Sequence, residues 1–489
     1  MRFRIVLGLA LALGSSLGDD QQQPERRLVN LNVIAVDNHG EPVTDLTADD
    51  FQVADAGKPQ KIAFFHHTDG KLWQVPALKP NEFSNRKGAN IPFATVILLD
   101  LLNERFGTSG TAWNELVHSL ERLETADYLY LYLLTVTGQV YPVHGLPGAE
   151  AEAARPEEQP WTRQAKPLLD EAMRKVAGLK SAGIDVAVRV PLTYRALNSL
   201  AGELSSVPGR KNIVWITDGV PLVLGPARSD TGQLVDFTPQ LRQLTEGLER
   251  SGIAVYPVQQ VFAGSRLESA DTLDEFAGLT GGRPDAGKDI GAAIEQSMKD
   301  LRTGYQIAYY PPVRNWDGKF HKLRVTSTRK GVRIQAKTGY YAWPEPPGAR
   351  ARAAIEAVWM TTFDAAEIGL RASLSRDPND GHLWQLAGAM NADDVALAQQ
   401  NGLYTGQLET AFVSYLTDGR TESSDISSMD LRLSAQERDQ VQREGIRFAR
   451  NVTIGENVKT VRFIVFDHGS GAIGSISIPV KAAGERAQP

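Results

Sequence analysis

Four apolar runs, each broken by a turn and mostly separated by a helical stretch, constrain this chain most. "PFATVILLD" ends at Asp100, and Tyr128 to Thr135 is apolar almost throughout. Asn212 to Thr217 is followed by Asp218-Gly219, and "GIAVYPV" follows a helical stretch at Gln240 to Ser251. A strand with apolar residues on both sides of the chain is buried on both faces, the signature of a parallel sheet covered by helices. Helical spacing at Thr111 to Leu123, Thr162 to Leu179, Pro191 to Leu204, Asp271 to Leu279 and Ile290 to Leu301 supplies the covers. Strand and helix alternate, which predicts right-handed βαβ units. The expected fold class is therefore α/β, with a doubly wound, mostly parallel sheet.

Both flanks read differently. Residues 28 to 68 alternate as strands around the turn Asp37 to Pro42, a small N-terminal β-domain too short to complete a core alone. The polar stretch 67 to 90 reads as a linker. After Pro311, "FHKLRVTST" and "VRIQAKTGYYA" form a hairpin that closes a central domain over 91–345. "WPEPPGARAR" reads as a second linker, and repeated alternating strands over 357–484 predict a C-terminal β-sandwich. "SAQERDQVQREG" interrupts them as a charged helix or long loop. The length of 489 residues suits this division at roughly 150 residues per domain.

Residues 1–18 read as a secretory signal peptide. Arg2 and Arg4 precede a nine-residue apolar run, Ile5 to Leu13, and Ser16 and Gly18 stand at the positions of a cleavage site. Export to the periplasm or beyond the cell follows as an expectation, with no later segment apolar enough to span a bilayer. There are no cysteines, which excludes disulfides, thiol catalysis and zinc-thiolate sites. With 52 basic and 58 acidic residues the net charge is −6, so no basic excess draws the chain to nucleic acid.

Two glycine motifs resemble nucleotide sites and fail on context. Gly282 to Lys288, "GRPDAGK", lacks the following hydroxyl and follows a helix; a helix C-cap and turn fits better. Gly469 to Gly474, "GSGAIG", leads into a strand, so no helix N-terminus is present to hold a pyrophosphate. The eight histidines form no metalloprotease motif and no serine sits in a nucleophile elbow, so a non-enzymatic protein is expected. What remains is a pair of carboxylates, Asp100 and Asp218, at the ends of two buried strands. In a parallel sheet these ends share one edge, where two carboxylates can converge on a hard cation or each cap its own turn.

"VILLDLLNERF", "GRKNIVWITDG", "GIAVYPV", "LDEFAGLTGGR" and "GYQIAYYPP" with the following hairpin resemble, in order, the von Willebrand factor type A domain, and more closely its exported acidobacterial relatives. The resemblance covers roughly residues 28 to 345. It implies a metal-ion-dependent adhesion site, in which Asp100 matches the first aspartate and Asp218 the last. The two serine positions hold Leu102 and Glu104, with Asn103 and Glu104 as substitute oxygens and Thr193 at the threonine position. The resemblance implies a degenerate site: no cofactor, or a weakly bound divalent cation, Ca²⁺ or Mg²⁺. The resulting expectation is an exported binding or adhesion protein with a protein or cell-envelope ligand. The alternative is a metal-free structural or assembly scaffold of the envelope. A loop at Asp100 filled by Leu102 and Glu104, rather than open and concave, favours the scaffold.

Overall fold

Strands open the chain: β1 (Val29–Val36), β2 (Phe51–Asp55), β3 (Lys58–Gln60), β4 (Ile62–Thr68) and β5 (Glu82–Ser84). The computed structural model describes residues 28–480, except 69–77, 80, 87–93, 104–109, 124–125, 127, 147–159, 177–184, 205–210, 226–232, 260–269, 284, 287–288, 303, 313–315, 345–347, 360–363, 401 and 424–425. The expected signal peptide and Glu104 therefore lie outside the described residues.

The helix-rich middle follows: β6 (Ala94–Asp100), α1 (Gly110–Arg122), β7 (Leu129–Leu134), β8 (Val140–His144), α2 (Ala165–Val176), α3 (Val186–Leu204) and β9 (Lys211–Ile216). The hairpin β10 (Val223–Leu224) and β11 (Val235–Asp236) precedes α4 (Thr238–Arg250), β12 (Ile253–Gln259), α5 (Ala270–Thr280), β13 (Asp285–Ala286) and α6 (Ile290–Arg302). One six-stranded sheet runs β13-β12-β9-β6-β7-β8, parallel at every pairing but β7 with β8. Every residue of β6, β7, β9 and β12 is buried, because helices cover both faces. One face packs Val96, Leu98 and Trp215 against α3, α4 and α5. The other packs Ile97, Leu99 and Val214 against α1, α2 and α6.

The remaining strands are β14 (Gly304–Tyr309), β15 (Phe320–Ser327), β16 (Arg333–Gln335) and β17 (Gly339–Tyr341), then helix α7 (Ala349–Trp359). They continue with β18 (Leu370–Arg376), β19 (Leu383–Met390), β20 (Ala398–Gln400), β21 (Leu403–Leu416), β22 (Thr421–Ser423) and β23 (Ser427–Leu433). Helix α8 (Ala435–Glu444), β24 (Ile446–Thr453), β25 (Val458–Asp467) and β26 (Ile473–Pro479) end the described chain. Two antiparallel sheets, β24-β19-β18-β5 and β20-β21-β25-β26 with β22 and β23 beside β21, share one apolar core that includes Leu374, Leu386, Phe412 and Phe463. Helix α7 covers the other face of the second sheet through Ile355 and Val358.

The expected fold class is overturned. Among the described residues parallel pairing is confined to one sheet, the other five sheets are antiparallel, and strand exceeds helix, 42% against 30%. The chain is a β-rich, multi-sheet protein rather than a doubly wound parallel α/β fold with small β additions. The reason lies in how strands pair. Apolar runs announce buried strands loudly, but which distant strands join them is a long-range property that local alternation does not carry.

Two boundaries shift for the same reason. Sheets β16-β1-β14-β4 and β17-β15-β2-β3 take half their strands from residues 304–341, and both halves bury one core around Leu31, Phe51, Tyr305 and Tyr309. Residues 28–68 are thus one part of a β unit that the central sheet interrupts. The stretch read as a linker carries β5, which pairs with β18 through Phe83 opposite Ala372. Asn85 donates to the Ala365 and Ile368 carbonyls, and Arg86 bonds the Ala366 and Glu367 carbonyls and the Asp394 carboxylate. The second linker contains the first turn of α7, Ala349 to Arg352. Residues 435–444 form a helix with a capping box between Ser434 and Glu437.

Gly281 and Gly282 are no phosphate loop. Gly281 ends α5 at φ 77°, a left-handed C-cap, and the Gly282 backbone passes against β12 so closely that a β-carbon would overlap the Val255 carbonyl. Gly282→Ala is therefore expected to cost about 3 kcal/mol or more by overpacking against immobile backbone, measured by urea unfolding. A loss under about 1 kcal/mol would show that β12 yields.

Candidate functional site

The central sheet carries Asp100 to the C-terminal edge of β6. Its carboxylate is fully buried and accepts five hydrogen bonds. Oδ1 accepts from the backbone N–H groups of Leu102 (3.1 Å) and Asn103 (2.9 Å), which folds the turn after the strand. Oδ2 accepts from Asn103 Nδ2 (2.8 Å), Trp215 Nε1 (3.0 Å) and Thr217 Oγ1 (2.7 Å). Burial raises the Asp100 carboxyl above the usual range, while the bonds from Asn103, Thr217 and Trp215 work in the opposite direction.

Asn103 extends the network. Its Nδ2 also donates to Thr193 Oγ1 at 2.7 Å, and that hydroxyl donates back to the Arg189 carbonyl within α3 at 2.9 Å. Asn103 is 6% exposed, and its Oδ1 is buried without a hydrogen-bond partner. Leu102 is buried in the core between the sheet and α3.

The structure thus brings together Asp100, Asn103 and Thr193 of the expected residues, and places Glu104 outside the described ones. Asp218 stands differently. The hydroxyl that reaches Asp100 from the end of β9 belongs to Thr217, while Asp218 is partly exposed and its main-chain carbonyl accepts from Gln259 Nε2 at 3.2 Å. Register explains the choice. Leu99 lies beside Ile216, so one step further sets Asp100 abreast of Thr217, not Asp218. Aligning the two apolar runs by their ends would have shown this. Trp215 was legible too, since an indole N–H in a buried strand needs an acceptor.

The described residues leave the Asp100 carboxylate no open position for a divalent cation. An ionised carboxylate offers about four lone-pair directions, and five protein donors already occupy those of Asp100. An ion bonding it directly would have to strip buried N–H groups of their only acceptor.

Sequence reasoning missed a second buried cluster, in the β unit. Asp55 Oδ2 accepts from the Tyr309 and Tyr340 hydroxyls, each at 3.0 Å. Asp55 Oδ1 lies 3.1 Å from His321 Nδ1, and Asp317 Oδ1 lies 3.1 Å from the other ring nitrogen. Burial pushes the Tyr309 phenol well above its ordinary value. Asp55 comes from β2 and its partners from β14, β15 and β17, strands about 250 residues away, so nothing local marks the cluster.

No family model matches the chain, and no curated protein matches it. Solved structures of partial similarity include the following three. A variant of the PilB minor pilin from Streptococcus sanguinis is 12% identical, covering 43% of this chain and 61% of that one, with a TM-score of 0.27. The pilus adhesin SpaC from Lactobacillus rhamnosus GG is 10% identical over 91% of this chain and 58% of that one, with a TM-score of 0.28. The human COPII-coat protein Sec24c is 10% identical over 54% of this chain and 46% of that one, with a TM-score of 0.25. The chain spans less than two thirds of each. Scores this low assign no family.

Proposed function

We propose that the protein is a non-enzymatic assembly scaffold of the cell envelope, exported by its N-terminal signal and working without a bound metal. The observation that carries this reading is the Asp100 carboxylate, whose lone pairs are taken by Leu102, Asn103, Trp215 and Thr217. A strand-edge aspartate arranged in this way organises a loop; it does not present an open coordination site. The locking of the units supports the scaffold role. The buried Lys211 ammonium of β9 faces Glu367 of the C-terminal unit at 3.5 Å, and Asn30 of β1 donates to the Ser470 carbonyl. Surfaces on different units are then held at fixed spacing, as a partner bridging them requires. Among the described residues no helix is long and apolar enough to cross a membrane.

Metal titration tests the reading. A cation site with a Kd of about 0.1 mM, probed at about 10 mM, would stabilise the fold by roughly 2.7 kcal/mol. The melting temperature is expected to stay within about 1 °C in EDTA, Ca²⁺ or Mg²⁺. A rise of several degrees with either ion, abolished by Asp100→Asn, would return the site to metal-dependent adhesion.

A further inference from the structure

A half-open cavity of about 60 Å³ lies where the three units meet. Helix α4 contributes Arg242, Glu246 and Glu249, the strand connection before β17 contributes Lys337, and α7 contributes Arg350. Three cations face two carboxylates, one positive charge in excess. Lys337 is buried and salt-bridged to Glu249, which accounts for one pair. Arg242 is held otherwise. Its guanidinium carbon sits 4.3 Å over the Tyr341 ring, and its buried Nε has no hydrogen-bond partner. A stacked guanidinium is a rigid fork with its donors aimed, the form in which arginine recognises a carboxylate.

The floor is equally rigid. Tyr340 lines the cavity and anchors its hydroxyl on Asp55 at 3.0 Å, inside the cluster completed by His321. Trp316 packs edge-on against the Tyr340 ring, with centroids 5.9 Å apart. Gly339 must be glycine, since a β-carbon would run into the Phe320 ring and the His321 carbonyl. This wall cannot collapse inward, so the space persists without a ligand and little ordering opposes binding.

Size limits the occupant. On the measure in which one water needs roughly 10–15 Å³, the 60 Å³ cavity holds a few waters or one small polar group. One carboxylate group fits. We propose that this junction cavity binds a single carboxylate, presented by an acidic side chain of a partner polypeptide or by a small free carboxylate. The proposal concerns a different part of the molecule from Asp100, so it and the metal-free reading stand or fall separately.

The test uses the full chain and ¹³C-labelled acetate, followed by NMR line broadening. Acetate is expected to broaden and saturate in the millimolar range, while methylammonium of similar size does not. Arg242→Gln is expected to weaken acetate binding about tenfold with an unchanged circular dichroism spectrum. If that variant melts early, Arg242→Lys keeps the charge without the planar fork and is expected to fall between the two. A pentapeptide with one central glutamate, run against its glutamine counterpart, separates the sources. Displacement of acetate by the glutamate peptide alone assigns the site to a polypeptide, and binding of acetate alone assigns it to a free carboxylate. No broadening, equal binding of methylammonium, or unchanged acetate binding in both arginine variants would overturn the proposal.

Discussion

Asp100→Asn is expected to destabilise the protein by about 3–5 kcal/mol in urea unfolding, in the presence or absence of divalent cations. The substitution keeps size and shape and changes one oxygen into an NH₂ group. Whichever way the amide turns, that group meets donors: the Leu102 and Asn103 backbone N–H groups on one side, or Trp215 Nε1, Thr217 Oγ1 and Asn103 Nδ2 on the other. At least two buried donors lose their acceptor, and no water reaches them at full burial. The loop joining β6 to α1 is then expected to exchange its amide protons faster, because its turn is held by Oδ1. A variant as stable as the parent, but with a lost response to Ca²⁺ or Mg²⁺, would show that the carboxylate serves an ion rather than the fold.

Lys211→Met is expected to cost about 3–5 kcal/mol, whereas the double change Lys211→Met with Glu367→Met is expected to recover most of it. Lys211 begins β9 and is fully buried; Glu367 bends toward it from the C-terminal unit and also accepts from the Ile473 N–H at 3.0 Å. Burial pushes the lysine down and the glutamate up, and each partner acts against that shift on the other. Removing one leaves the other charged in an apolar site, where desolvation is no longer offset. Removing both leaves an apolar contact between the units. A thermodynamic cycle with the two single variants measures the coupling. A single variant within about 1 kcal/mol of the parent would mean that solvent reaches the pair and that the units separate more easily than proposed.

The reading of the sequence succeeded where a signal is local. Runs such as Ala94–Asp100 and Ile253–Gln259 are apolar on both sides of the strand, and an interior strand demands that wherever the chain goes. Asp100 was legible as a special residue because a charge ends an otherwise apolar run. Its role was not. Whether an aspartate binds an ion or ties a loop depends on donors from Trp215 and Thr217, which arrive through the β6–β9 register. Asp218 drew attention for its charge, although the neighbouring hydroxyl made the contact. The segment at 82–86 looked like a linker because three strand residues and a polar pair have no periodicity to measure.

By itself the sequence determined the buried strands, the helices that cover them, the glycine stop after α5 and the absence of any disulfide or thiolate chemistry, because each depends on neighbours within about one turn or strand length. Only the tertiary structure decided that residues 28–68 and 304–341 form one β unit, that β5 joins a sheet with β18, that two tyrosine hydroxyls reach Asp55, and that five donors saturate Asp100. Alternating strands are interchangeable in pattern, so their partners are chosen by the summed burial of whole faces, and a carboxylate's chemistry is set by whichever donors that choice brings within 3 Å.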